Sequence, residues 1–181
     1  RVLVNFSALG GLQFMVKTAK KPSYQLATKE HNILNHVFKF PGVLKWNDVD
    51  VTFIDAVDPN VGSKFYQALL NAGYVAPVSE GALVTGITKV QTTDTIGEVS
   101  IKQLDGGGII LPAGADPGEV TGTADSTNIV EEWILKNAFL TKVSFGESLD
   151  YASEEIINVS VTITYDYAEY NSVAGGLPLA I

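Results

Sequence analysis

The side chains with the widest chemical repertoire in this chain are His31 and His36, the only two histidines among 181 residues. A metal centre or a general base would call on them first. They lie five positions apart, and neither a helix nor a strand sets that spacing side by side on one face, which argues against a shared metal ion. Asp48, Asp50, Asp55 and Asp58 carry enough oxygens for calcium, but a calcium loop needs a tight glycine-containing turn that converges them. Val49, Val51, Phe53 and Ile54 interrupt the acids as a strand would, so they read as a wet strand face followed by a helix cap. Gly106-Gly107-Gly108 matches a phosphate-binding loop only in composition. Ile109-Ile110-Leu111-Pro112 follows it, where a helix N-terminus and a Lys-Ser or Lys-Thr step would be needed. No serine sits in a nucleophile elbow. Glu131-Glu132 and Glu154-Glu155 are strand neighbours that point to opposite faces, so neither pair makes an acid/base couple. The sequence therefore assigns no catalytic, cofactor-binding or metal residues, and an enzyme is not expected.

Composition narrows the remaining classes. The formal net charge is -8, from 12 Lys+Arg against 20 Asp+Glu. Affinity for nucleic acid comes largely from cations that displace counterions, so binding to DNA is not expected. Lys17, Lys20 and Lys21 form the one compact basic cluster and read as a solvated turn. The absence of cysteine excludes disulfides, thiolate metal sites and thiol nucleophiles. No apolar run approaches the ~18 residues that mark a membrane-spanning helix. Arg1 to Phe6 reads as a strand rather than a signal peptide. Charged residues make up 18%, below the usual quarter or so, as expected if part of the surface is covered by further copies of the chain.

The elements that would position any site are mostly strands. Ile157, Val159, Val161, Ile163, Tyr165 and Tyr167 alternate with Asn158, Ser160, Thr162, Thr164 and Asp166, the period of a strand with one buried face. Val130 to Lys136 and Phe139 to Phe145, separated by Asn137-Ala138, are expected to form an antiparallel meander with it. Val49, Val51 and Phe53, and again Val99 and Ile101, alternate with polar residues in the same way. His36 to Phe40 reads as a strand ended by Pro41-Gly42. One helix is expected after Asp58 as N-cap and Pro59 at the first helical position, with Phe65, Leu69 and Ala72 on one face and Gly73 as its stop. A weaker helical signal runs from Ser79 to Val90. Residues 105–128 are rich in Gly, Pro, Asp, Ser and Thr and read as a long loop or arm, and residues 171–181 as a C-terminal tail. The whole, 1–181, reads as one domain: mainly β (α+β), an antiparallel β-barrel or sandwich with one flanking helix.

The order of these features resembles the tail tube proteins of contractile-tailed bacteriophages. Glu132 to Phe139, then Phe145-Gly146-Glu147-Ser148-Leu149-Asp150-Tyr151, then the strand ending Tyr165-Asp166-Tyr167 are similar to that family's closing segment. Phe40-Pro41-Gly42, Trp46 to Thr52 and the helix after Asp58 are similar to its middle, while residues 73–128 match no pattern of it. The resemblance implies a virion structural protein assembled in the bacterial host cytoplasm, whose rings, usually hexameric, stack into a hollow tube. It implies contacts with itself, with a tail sheath protein and with baseplate, initiator and terminator proteins. DNA would pass through without specific binding, and no cofactor or membrane is involved. Related tubes serve phage-like bacteriocins, contractile injection systems and type VI secretion, which the sequence does not separate.

Asn158, Ser160, Thr162 and Thr164 are the candidate lumen-facing or subunit-interface residues, because their face is polar yet uncharged. The plain alternative is that threonine simply favours strands. A monomeric β-sandwich binding module is the alternative of another class. It predicts an exposed aromatic platform, whereas these aromatics fall mostly at inward strand positions.

Overall fold

The computed structural model describes residues 1–10, 12, 15–56, 58, 60–78, 86–104, 129–146 and 156–172. The loop expected at 105–128 and the tail from 173 onward lie outside them, as do Pro59, the glutamate pair at 154–155 and the glycine run at 106–108. Among the described residues, no helix is long and apolar enough to cross a membrane.

Among the described residues, ten strands form two four-stranded antiparallel sheets and a separate two-stranded arm. The first sheet runs in the order β1 (Val2–Phe6), β6 (Val99–Leu104), β7 (Ile129–Lys136), β10 (Tyr167–Ser172). The second runs β2 (Val16–Ala19), β5 (Val49–Ile54), β9 (Asn158–Thr164), β8 (Phe139–Ser144). Their inward faces supply the core: Val4, Phe6, Val99, Ile101 and Leu135 from the first sheet, and Val49, Val51, Phe53, Val159, Val161 and Ile163 from the second. The sheets stay open at their edges, so the sandwich form of the sequence expectation holds and a closed barrel does not.

The expected meander is not what forms. β7 pairs with β6 and β10, whereas β8 pairs with β9 in the other sheet. The Asn137 turn, with φ of 53° in the left-handed region that asparagine tolerates, carries the chain from one sheet to the other. The long alternating strand is cut in two for the same reason. β9 ends at Thr164, and beyond Tyr165-Asp166 the chain crosses into the first sheet as β10, which runs through Ser172 into what was read as the tail. Period-2 alternation reports which face is buried and says nothing of which sheet buries it.

Helix α1 (Val61–Asn71) closes one side of the sandwich. Val61, Phe65 and Ala68 are buried, and Phe65 meets Phe6 and Phe53 at ring-centroid distances of 6.0 and 5.4 Å. Gly73 ends it as expected, at φ 100°, with the amide of Gly73 donating to the Leu70 carbonyl and that of Tyr74 to Leu69. The N-cap is Asn60, not Asp58: the Ser63 amide donates to Asn60 Oδ1 at 2.6 Å. Asn60→Ala should therefore cost about 1 kcal/mol, read as a loss of about 2–4 °C in thermal midpoint. Asp58→Ala should leave the midpoint unchanged, and the reverse result would restore Asp58 as the cap.

A second helix, α2 (Lys89–Ile96), starts at the end of the range where one was expected, Ser79 to Val90, of which residues 79–85 lie outside the described residues. Thr88 caps it by accepting from the Gln91 amide, and the threonine hydroxyls of its interior donate back to carbonyls three or four residues earlier. That back-bonding, together with burial of Ile96 alone among its residues, explains why no apolar stripe marked it in the sequence.

The arm is the hairpin of β3 (Ser23–Ile33) and β4 (His36–Asn47). β4 runs through Pro41-Gly42 instead of stopping there. In a two-stranded arm each strand is an edge strand, so a proline can turn its missing N–H outward. The register slips beside it, between Leu26 and Thr28. A Cβ on Gly42 would meet the Ala27 carbonyl oxygen at 2.9 Å, so the close approach at this bulge requires glycine.

Candidate assembly surfaces

Two surfaces stand out, a polar sheet face and the arm. The polar face is the outer side of the second sheet. Because β5 and β9 pair with Asp50 opposite Thr162, their outward residues meet directly across the strands. The Thr162 hydroxyl donates to Asp50 Oδ1 at 2.9 Å, and Lys20 Nζ donates to Asp50 Oδ2 at 2.9 Å. The Thr164 hydroxyl donates to Asp48 Oδ1 at 2.9 Å and lies 3.2 Å from the Thr141 hydroxyl. Lys17 Nζ donates to Asn158 Oδ1 at 3.1 Å. Ser160 is exposed on the same face. The hydrogen bonds from Lys20 and then Thr162 hold the Asp50 carboxyl below the usual carboxylate range.

All four residues singled out in the sequence thus lie on one outward face. The structure adds Asp48, Asp50, Lys17 and Lys20 to them, and Lys17 and Lys20, exposed as expected, each bond to this face. The aspartates do not converge as a calcium loop would, and no group of three or more metal-binding side chains occurs among the described residues.

The arm is the surface the sequence did not reveal. All eleven residues of β3 are exposed, as are those of β4 except Gly42 and Trp46. Its strands pack on each other and on no other element to a comparable extent. At its base, Trp46 lies between Tyr24 and Tyr165, with ring centroids at 5.6 and 5.9 Å. Tyr165 is 6% exposed, and burial, then the nearby Asp48 charge, push its hydroxyl up to about 12.

Opposed residues in the arm share a face, so its apolar side can be traced through the register. Near the base, Tyr24, Trp46, Leu26 and Leu44 share one face. Beyond the bulge the apolar residues move to the other, as Ile33, Phe38 and Phe40. His31 and His36 lie on that same distal face, opposite Phe38 and Ile33. The spacing argument excluded a shared face within one element, and the hairpin turn brings them to one face from two strands.

No protein-family model matches the chain, and no curated protein does. Solved structures do. The chain is similar to a chain in a structure described as the anti-feeding prophage cap (AFP tube terminating cap), with a TM-score of 0.58 and 17% identity over 95% of this chain and 88% of that one. It is similar to a chain of the AFP baseplate, at 0.55 and 12% over 96% and 94%. A chain of the PVC sheath/tube terminator, part of an extracellular contractile injection system, gives 0.52 and 15% over 95% and 94%. At such identities these likenesses establish a shared fold over nearly the whole chain.

Proposed function

We propose that this chain is a structural subunit of a phage-tail-like tube, a protomer or terminating ring that assembles with copies of itself and performs no catalysis. The observation that carries this reading is the arm. A monomer gains nothing by holding Phe38, Phe40 and Leu34 in water on a hairpin that its own body does not cover, since exposed apolar patches of this kind mark protein interfaces. The shared fold with tube caps, baseplate and terminator components supports it. The finer form is a hexameric ring, stacked within a sheath and joined to a baseplate, that forms the conduit for DNA ejection from a phage tail. The same ring fits a bacteriocin, an injection or a secretion tube equally well.

In this reading the face bearing Asn158, Ser160, Thr162 and Thr164 lines the lumen. Lys17, Lys20, Thr162 and Thr164 are engaged with Asp48, Asp50 and Asn158, while Lys142, opposite Thr162 on the same face, is exposed and makes no ion pair among the described residues. Electron microscopy of the concentrated protein should show rings or tubes, with light scattering rising over a hundredfold concentration range. A monomer under every condition, including in the presence of a tail initiator complex, would overturn the proposal.

A further inference from the structure

The two histidines have no task in a structural subunit, yet the hairpin brings them together. His31 of β3 pairs with Phe38 of β4, and Ile33 pairs with His36, so the two imidazoles take diagonal corners of neighbouring rungs on one face. Diagonal neighbours across antiparallel strands stand about 7–8 Å apart, within reach of aromatic and long side chains. The His36 and Phe38 rings are 6.4 Å apart, and His31 lies directly across from Phe38, which gathers the three rings into one patch. Only Leu34 and Asn35 make the turn, and a turn that short fixes the register between the strands.

Such a pair can do what neither ring does alone. Neutral imidazole offers a ring nitrogen to zinc, nickel or copper. Once one ring has bound, the second is held beside the metal at high effective concentration. Both histidines are exposed, so a hydrated ion can reach them, and neither forms an ion pair among the described residues. Glu30, the one acid within residues 23–47, lies on the other face, where it pairs with Lys39 at 3.5 Å. The patch therefore lacks the oxygen ligands that calcium and magnesium require. Lys29, opposite Phe40 on the next rung, opposes any cation, so the hold must come from the two imidazoles acting together.

We infer that His31 and His36 form a two-histidine clip for a divalent transition metal of the zinc, nickel and copper group, with water completing its shell. The bound metal joins β3 to β4 near the end of the arm. The clip lies within one hairpin, needs no second copy and is independent of the tube reading.

The untagged chain, titrated with nickel(II) or zinc(II) chloride in a calorimeter, is expected to take up a single metal per chain. A chain carrying both His31→Ala and His36→Ala gives the background from the terminal amine and other weak sites. Each alanine variant alone should lose at least the ~10–100-fold that removal of a mere supporting partner costs a metal site. Calcium and magnesium should not compete. Two further variants keep two histidines and change only their placement. His36→Gln with Phe38→His seats the second imidazole straight across from His31 and should retain the site. His36→Gln with Val37→His turns it to the opposite face and should abolish binding. All of these positions are exposed, so the fold is expected to survive every change. Equal binding by the parent and the double alanine variant would overturn the clip. So would undiminished binding with histidine at 37, or one metal shared between two chains.

Discussion

Val161→Asp should abolish folding, while Thr162→Lys, one residue further along, should leave a folded monomer. Val161 is buried opposite Val51 in the centre of the second sheet. A carboxylate there loses the valine's burial and has no cation within the core to pair with, at a cost of at least several kcal/mol. A domain with about 5–15 kcal/mol in total cannot absorb that, so near-ultraviolet and far-ultraviolet circular dichroism should both collapse. Thr162 faces outward and its loss frees Asp50 from one hydrogen bond, while Lys20 still neutralises that carboxylate. A lysine at 162 can also reach Asp50. Native circular dichroism is expected, with the consequence visible only on assembly: tubes that attract DNA if this face lines the lumen, or rings that fail if it meets a neighbour. Unfolding by Thr162→Lys with tolerance of Val161→Asp would mean the strand's faces are exchanged, which the pairing of β5 with β9 does not allow.

Removal of the arm should have the opposite signature. Replacing residues 26–44 by Asn-Gly keeps Gln25 opposite Lys45 and the Tyr24–Trp46–Tyr165 stack, and closes the strands with a turn suited to a two-residue hairpin. Because almost every deleted side chain is exposed, the thermal midpoint should move by no more than a few degrees. Assembly should be lost, with sedimentation showing a single small species at concentrations where the parent forms rings. A large fall in stability would show that the arm belongs to the core, and persistent rings would show that other surfaces hold the subunits together.

The sequence disclosed faces better than neighbours. The alternation from Ile157 to Tyr167 located a buried face at Val159, Val161, Ile163 and Tyr165, while Ile157 and Tyr167 at its two ends are exposed. Phe65 and Gly73 located the core side and the end of α1, although Leu69 is exposed. Connectivity was hidden, because a strand that leaves one sheet for another at Asn137 or Asp166 keeps its periodicity across the crossing. α2 was hidden because its threonines satisfy themselves and carry no apolar stripe. The arm was hidden for a related reason: Phe38, Phe40, Leu44 and Trp46 keep one alternation along β4, but the bulge at Gly42 turns them to opposite faces, and alternation does not say that those faces stay in water. The four polar residues of β9 were legible as a face, but the bonds of Thr162 to Asp50 and of Thr164 to Asp48 reach residues more than a hundred positions away.

The arm and the far end of the second sheet also differ in when they come into being. The arm is a local hairpin, whose pairings close within a stretch of neighbouring sequence, and hairpins form on a scale of about 1–10 μs. That far end exists only once Ile157 has met Asp55, a loop closure of about a hundred residues, and contacts of that separation dominate slow folding. A folding chain therefore presents the apolar side chains of its arm before its sandwich is complete.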